Sequence, residues 1–270
     1  MQLYGLWKPV KQPPARDSLQ DLLPDGLVVD RAWLADRGFE RPLVDYYLRS
    51  GALVPVARGA YRRPGPPLKW EHVVYSLQEL GYAVHVGGRS SLEFQGFAHY
   101  LSMQGVALVH LYGTEKLPGW VGKLEAPYRF TLHKPRLFDE PVPESLTTKP
   151  FGHWDWSLRY ATPELALLEM TAEVKQSSDF EVLDKLFESA TSLRPQLLMK
   201  LLKACHHVKA KRLFLWFAER HRFAWFDRLD VKAVNLGSGK RVIQKGGAFD
   251  NKYQITIPRA MVDGSSQSFL

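Results

Sequence analysis

Between residues 27 and 63 the spacing of apolar positions changes from helical to alternating, with Gly, Pro and Asp at the points of change. Asp30 precedes Ala32, Trp33, Leu34 and Ala35. Its carboxylate can accept hydrogen bonds from the free N–H groups of a helix start, so a short helix is predicted there. Gly38 supplies the tight turn, and Pro42, with a preset φ and no N–H, suits the first position of a second helix over residues 42–50. In that helix Leu43, Val44, Tyr47 and Leu48 fall on one stripe, which leaves Arg41, Asp45, Tyr46 and Arg49 facing outwards. Gly51 closes the helix. Residues 53–56 and 60–62 then flank Ala57-Arg58-Gly59 as two strands flank a turn. The pattern is that of a winged helix-turn-helix, with Arg58 at the wing tip and Tyr61, Arg62 and Arg63 on the returning strand.

Upstream, residues 1–14 are rich in Pro and Lys and resist regular structure, while residues 15–23 predict a helix that packs Leu19, Leu22 and Leu23 behind the helix-turn-helix. Downstream, Pro64-Gly65-Pro66-Pro67 denies helix and ladder hydrogen bonds alike. The domain boundary is expected there, giving an arm and winged helix over residues 1–66 and a second domain over residues 67–270. In the second domain a helix is predicted over residues 68–80, on the spacing of Val73, Val74, Leu77 and Leu80. Strands follow over residues 82–86, 106–111 and 128–132, each β-branched or aromatic. Thr162-Pro163 is a cap and first-turn pair, opening a helix through Leu165, Leu168 and Glu169. Further helical stripes span residues 179–190, 195–205 and 208–221, and alternation returns at residues 231–236, 241–244 and 253–257. The expected fold class is α+β: an N-terminal winged helix-turn-helix, then a larger mixed α+β domain with a helical layer and C-terminal β-hairpins.

Composition changes this picture in three respects. A hydrophobic content of 45% over 270 residues is ample for a buried core in each domain. The net charge of +8 favours a polyanionic partner, nucleic acid foremost. Cys205 stands alone, so an internal disulfide and a CxxC metal site are both excluded. The first residues lack the apolar centre of a signal peptide, and no stretch reaches the roughly 18 apolar residues that span a bilayer. A soluble cytoplasmic protein without a membrane partner is expected.

The outward helix face suits base edges, and Arg58, Arg62 and Arg63 suit phosphates or a minor groove. Arg41, Asp45 and Arg49 also have the spacing of an ordinary solvated ion-pair ladder, and winged helices serve in protein docking as well. Between residues 200 and 259 basic side chains far outnumber acidic ones. Lys209, Lys211, Arg212, Lys240, Arg241 and Lys245 are the candidate docking surface for an acidic partner or a nucleic-acid backbone; a solvated helix face is the alternative. Four catalytic or ligand motifs fail on spacing or context. Gly237-Ser238-Gly239-Lys240 has Val234 where a phosphate loop needs its first glycine and Arg241 where it needs Ser or Thr. Glu173-Val174-Lys175 falls at a helix end rather than on a strand. His206 and His207 are adjacent, so their side chains diverge. Gly87-Gly88-Arg89-Ser90 reads as a structural strand-to-helix turn rather than an anion site. No catalytic residue, metal or cofactor is expected, and the protein is expected not to be an enzyme.

Several blocks together resemble one family: LVDYYLRSGALVPVARGAYRRPG (43–65), VHVGGRSSLEFQGFAHYL (84–101), KLPGW (116–120), ATPELALLEM (161–170), VKAKRLFLWFAE (208–219), NLGSGKRVIQKGG (235–247) and KYQITIP (252–258). In this order they are similar to the AbiEi antitoxins, transcriptional regulators of the abortive-infection AbiE toxin–antitoxin pairs. Leu165 stands where that family usually has arginine. The resemblance implies an N-terminal winged helix that represses its own operon at inverted repeats in duplex DNA. It also implies a C-terminal domain opposing an AbiEii partner toxin similar to nucleotidyltransferases, which makes the basic C-terminal residues the candidate antitoxin surface. The rival readings are a nuclease-type enzyme with a winged-helix targeting domain, and an RNA-binding module with Trp216, Phe217, Phe223, Trp225 and Phe226 as its platform.

Overall fold

The computed structural model describes residues 18–97, 107–152 and 155–263. Its contacts divide the chain into two compact units: Met1–Tyr82 with Leu117–Ala126, and Ala83–Lys116 with Pro127–Leu270. No helix among the described residues is long and apolar enough to cross a membrane.

The first unit runs α1 (Ser18–Leu22), β1 (Val29–Asp30), α2 (Arg31–Asp36), α3 (Arg41–Arg49), β2 (Val54–Ala57), β3 (Ala60–Arg62) and α4 (Trp70–Glu79). The predicted first helix begins at residue 15, and its residues 15–17 lie outside the described part of the chain. Asp30 caps α2 as its chemistry requires, its carboxylate accepting from Trp33 N at 2.8 Å. The three strands form a small sheet in the order β1-β3-β2. A register shift falls between Pro55 and Ala57, where proline has no N–H to give the ladder. Leu19, Leu23, Leu34, Phe39, Val44, Tyr47 and Leu53 close the core. Residues 64–67 fall inside this unit, because α4 beyond them buries Val73, Val74 and Leu77 and its Ser76 hydroxyl accepts from Val28 N at 2.8 Å. Gly26, at φ +90°, lies so near His72 that a Cβ there would come within 2.5 Å of the ring. Trp120, Val121 and Leu124, from the segment grouped with this unit, are buried too.

The second unit runs β4 (Val84–Val86), α5 (Gly88–Phe94), β5 (Ala107–Gly113), β6 (Tyr128–His133), β7 (Leu146–Phe151), β8 (Trp156–Ala161), α6 (Pro163–Glu173), α7 (Ser177–Glu188), α8 (Pro195–Ala204), α9 (Val208–His221), β9 (Ala248–Asp250), β10 (Ile255–Ile257) and α10 (Arg259–Asp263). Five strands make a mixed sheet in the order β6-β5-β4-β8-β7. β4 is parallel to β8 and antiparallel to β5, and β5 is parallel to β6. α6 is buried nearly all round, which is the signature of a helix between two layers. It packs against α5 and β8 as well as against α7, α8 and α9, where Phe180, Phe187, Phe214 and Phe217 interlock. Glu164 is buried within this layer and makes a forked pair with Arg194, two contacts of 3.0 Å.

The C-terminal alternation resolves differently from its prediction. Residues 231–233 form a 3-10 turn rather than a strand, with only Val234 fully buried in that stretch. Residues 241–244 touch the hairpin β9–β10 through one bridge, Arg241 to Ile255. The reason is chemical: the Thr256 hydroxyl accepts from Ile243 N and shares the Gln244 N–H with the Thr256 carbonyl, so side-chain bonds partly replace the ladder. Strands β7 and β8 and the short β9 carry no counterpart in the sequence reading.

Candidate nucleic-acid interface

α3 sets the geometry of the first unit's polar surface. Val44 and Tyr47 point inwards, both 2% exposed, while Tyr46 is 43% exposed on the opposite face. Asp45 sits at the centre of that face between two cations, 3.8 Å from Arg41 Nε and 3.5 Å from Arg31 Nη2. Arg49 Nε donates to the Asp45 carbonyl at 3.2 Å. These are solvent-screened contacts, weak enough to be exchanged for a phosphate or a base edge. Sequence reading missed Arg31, which lies one residue after the α2 cap. Its signal was position alone, a basic residue at the first turn of the helix that precedes the reading helix.

The predicted wing residues separate. Arg58 is exposed at the turn and forms no ion pair or hydrogen bond among the described residues. Arg62 folds back, its guanidinium donating to Pro66 O at 2.6 Å and Gly65 O at 3.1 Å. Two assignments need correction. Tyr61 is only 6% exposed, buried together with its neighbour Ala60 on β3, and its hydroxyl accepts from Arg31 Nε at 2.8 Å. Arg63 is engaged with Asp25 at 3.2 Å and with Leu23 O at 3.4 Å, so it ties the end of the wing to the end of α1.

The basic C-terminal residues also divide, and two leave the candidate surface. Lys211 and Arg212 are 4% and 2% exposed. α9 is buried on most of its circumference, so positions read as a solvated face are interior. Burial pushes both groups below their ordinary pKa, and Arg241 adds to the effect at Arg212. Arg212 is instead the clasp of the following loop, donating to Leu236 O at 2.8 Å, Gly237 O at 3.1 Å, Gly239 O at 2.7 Å and Gln254 O at 3.1 Å. Gly237, at φ +64°, passes so close to Val208 that a Cβ would meet it at 2.9 Å. The glycine-rich stretch is therefore a loop wrapped on a buried guanidinium. Lys209 is half-buried, with Nζ donating to Val174 O at 2.8 Å. Lys240, Arg241 and Lys245 are exposed on the loop, and the Lys240 ammonium lies 4.9 Å from the Phe249 ring centre. Among the described residues no cluster of three or more His, Cys, Asp or Glu is disposed to hold a metal.

The aromatic residues offered as an RNA platform lie mostly inside. Trp216, Phe217 and Trp225 are 8%, 0% and 4% exposed, and Phe223 and Phe226 are partly buried against the same core. Glu173 of the Glu-x-Lys motif is bound to His133.

The sequence matches a family described as transcriptional regulator, AbiEi antitoxin, type IV toxin–antitoxin system, over residues 107–258. Residues 15–103 match the N-terminal domain of the same antitoxins. The chain belongs to the AbiEi antitoxin family. No curated protein matches the sequence. Among solved structures, the RV2827C protein from Mycobacterium tuberculosis is similar over 88% of this chain and 90% of its own, at 14% identity and a TM-score of 0.50. At that identity the likeness is one of fold. Membership in the AbiEi family supports an antitoxin and transcriptional-regulator role, and makes a non-enzymatic protein the reading to test.

Proposed function

We propose that this AbiEi-family chain is a DNA-binding repressor of its own toxin–antitoxin operon, with α3 in the major groove and the wing tip against the backbone. The observation that carries the reading is the surface of α3, where Arg41, Tyr46 and Arg49 surround one acidic group on the face turned away from the core. Arg31 and Arg58 extend that surface at either end. One winged helix covers about one half-site, so two copies would occupy an inverted repeat with centres separated by whole turns of about 10 base pairs. The second unit, through Lys240, Arg241 and Lys245, would oppose an AbiEii-like nucleotidyltransferase toxin. The test is a gel shift on the upstream region with a random duplex as control, alongside growth rescue during toxin expression. Specific retardation that weakens with salt supports repression. Equal retardation of both duplexes refutes it. A fully protected single half-site would refute the paired arrangement. Location in the cytoplasm follows from this reading as part of the proposal.

A further inference from the structure

The outward face of α3 carries one acid among its cations. Asp45 has its side chain 43% exposed, and a different arginine approaches each of its oxygens: Arg31 Nη2 is 3.5 Å from Oδ1, and Arg41 Nε is 3.8 Å from Oδ2. The two arginines are held unequally. Arg31 is anchored on a buried residue, its Nε donating to the Tyr61 hydroxyl at 2.8 Å and its guanidinium carbon lying 5.7 Å from the centre of the Tyr61 ring. The Arg41 side chain is 82% exposed, and its contact with Asp45 is too long for a hydrogen bond. Asp45 also lines an open depression of about 640 Å³, whose other walls are Arg41, Pro42, Leu48 and Arg49. The apolar walls Pro42 and Leu48 suit a base edge better than a hydrated phosphate.

An ionised carboxylate accepts hydrogen bonds and donates none, and a phosphate repels it. On a helix in the major groove it therefore needs a donor, and only two base groups there provide one: N4 of cytosine and N6 of adenine. Adenine sets its N7 acceptor beside N6, against a carboxylate. Cytosine has no such acceptor, and its guanine partner presents O6 and N7, the pair of acceptors that a guanidinium fork takes. One C·G pair thus satisfies an acid and an arginine side by side. α3 presents that combination, since Arg41 stands four residues before Asp45 and so shares its face. Arg31 is the positioning residue. Anchored on Tyr61, it keeps the Asp45 carboxylate in place when Arg41 leaves it for a base.

We propose that Asp45 and Arg41 together read one C·G base pair in each half-site, Asp45 on the cytosine amino group and Arg41 on the guanine. This rests on α3 being the DNA-reading helix, and adds the base pair that it selects. The test is selection by the full chain from a library of random duplexes, run for the wild type, Asp45→Asn, Asp45→Ala and Arg41→Ala, with fluorescence anisotropy on the selected duplex and on a random one. The wild-type motif should contain a C·G pair whose replacement weakens binding about fivefold or more. Asn has the size of Asp and pairs with adenine N6 and N7, so Asp45→Asn should move the preference at that one position from C to A. Asp45→Ala should abolish the preference there. Neither change should weaken binding to the random duplex, because each removes a negative charge that faces phosphates. Arg41→Ala should weaken the selected duplex more than the random one. Circular dichroism should be the same for all four proteins, since neither side chain belongs to the core. Selection of an unchanged motif by both Asp45 variants overturns the proposal and leaves DNA binding by α3 standing, as does equal loss on the two duplexes for Arg41→Ala. A wild-type protein that enriches no sequence overturns the DNA-binding reading itself, and the proposal with it.

Discussion

Asp45 governs how α3 presents charge, because Arg31, Arg41 and Arg49 all contact it through side chain or backbone. Replacing Arg49 with Ala leaves the stripe of Val44 and Tyr47 intact, so the fold should be unchanged. If Arg49 reads a base, operator binding should weaken by about 1–3 kcal/mol while binding to a random duplex changes little. Parallel losses on both duplexes, measured by fluorescence anisotropy, would show that Arg49 contacts only phosphate. Arg63→Ala makes the contrasting case. Its guanidinium holds Asp25 and the Leu23 carbonyl, so it should lower the Tm of the protein and leave the salt dependence of DNA binding nearly unchanged. Acid sensitivity is also set at single residues. Burial, helped by His133 and Arg89, pushes His110 down to about 4. Between that value and about 6.5, the ordinary value of an unfolded histidine, the unfolded chain binds more protons than the folded one. Stability should therefore be full above pH 6.5 and fall as pH drops towards 4. Burial pushes Glu164 up, but its hydrogen bonds to Arg194 outweigh that and leave it below the usual carboxylate range, adding a further loss in more acid solution. Urea midpoints across this range should decline less steeply for His110→Gln than for the wild type; superimposable profiles would remove His110 from the account.

Elements with strong local chemistry were legible from sequence, and those specified by distant partners were not. The Asp30 cap, the Pro42 first turn and the span of α9 each carry their signal within a few residues, and each stands where the sequence placed it. β8 was invisible although its residues alternate in burial, because six residues of alternation after an irregular loop compete poorly with the long helical patterns that follow. Its place between β4 and β7 is decided by pairing with β4, seventy residues earlier in the chain. The basic cluster failed for a different reason. Counting charge along α9 treats every Lys and Arg as solvated, whereas Arg212 is buried and finds three carbonyls on a loop more than twenty residues away, at Leu236, Gly237 and Gly239, and a fourth at Gln254 before β10. That arrangement makes Arg212 a determinant of loop shape. Removing a buried charged donor from several acceptors should cost about 3 kcal/mol or more. Arg212→Ala should accordingly lower the urea midpoint strongly and increase protease cleavage at residues 236–240. A stable variant with an unchanged cleavage pattern would mean the loop holds itself. The cross-strand row of His85, Tyr112 and His133 on β4, β5 and β6 was equally unreadable, since three residues on three strands become neighbours only through register.

At the scale of the whole molecule, the division of the chain decides how its two proposed activities can be separated. Residues 64–67 look like the natural cut, but α4 and residues 117–126 group with the first unit. A chain beginning at residue 68 would carry α4 and the segment with Trp120, Val121 and Leu124 into a fragment in which the rest of their unit is missing. Exposed apolar groups of that size promote association. The better cut follows Tyr82, with residues 117–126 replaced by a short Gly-Ser linker between Lys116 and Pro127. The resulting second unit retains the core from Leu165 to Met261, so it should fold independently and remain monodisperse, whereas the fragment from residue 68 should aggregate on size-exclusion chromatography. If opposition to the toxin resides in this unit, the trimmed form should rescue growth without retarding operator DNA. Charge reversal at Lys240, Arg241 and Lys245 should then abolish rescue, because these side chains are exposed and leave the Arg212 clasp intact, with circular dichroism confirming the fold. Rescue by the reversed form would place the protective contact elsewhere on the unit. Failure of the folded, trimmed form to rescue, where the full chain succeeds, would show that protection requires both units together.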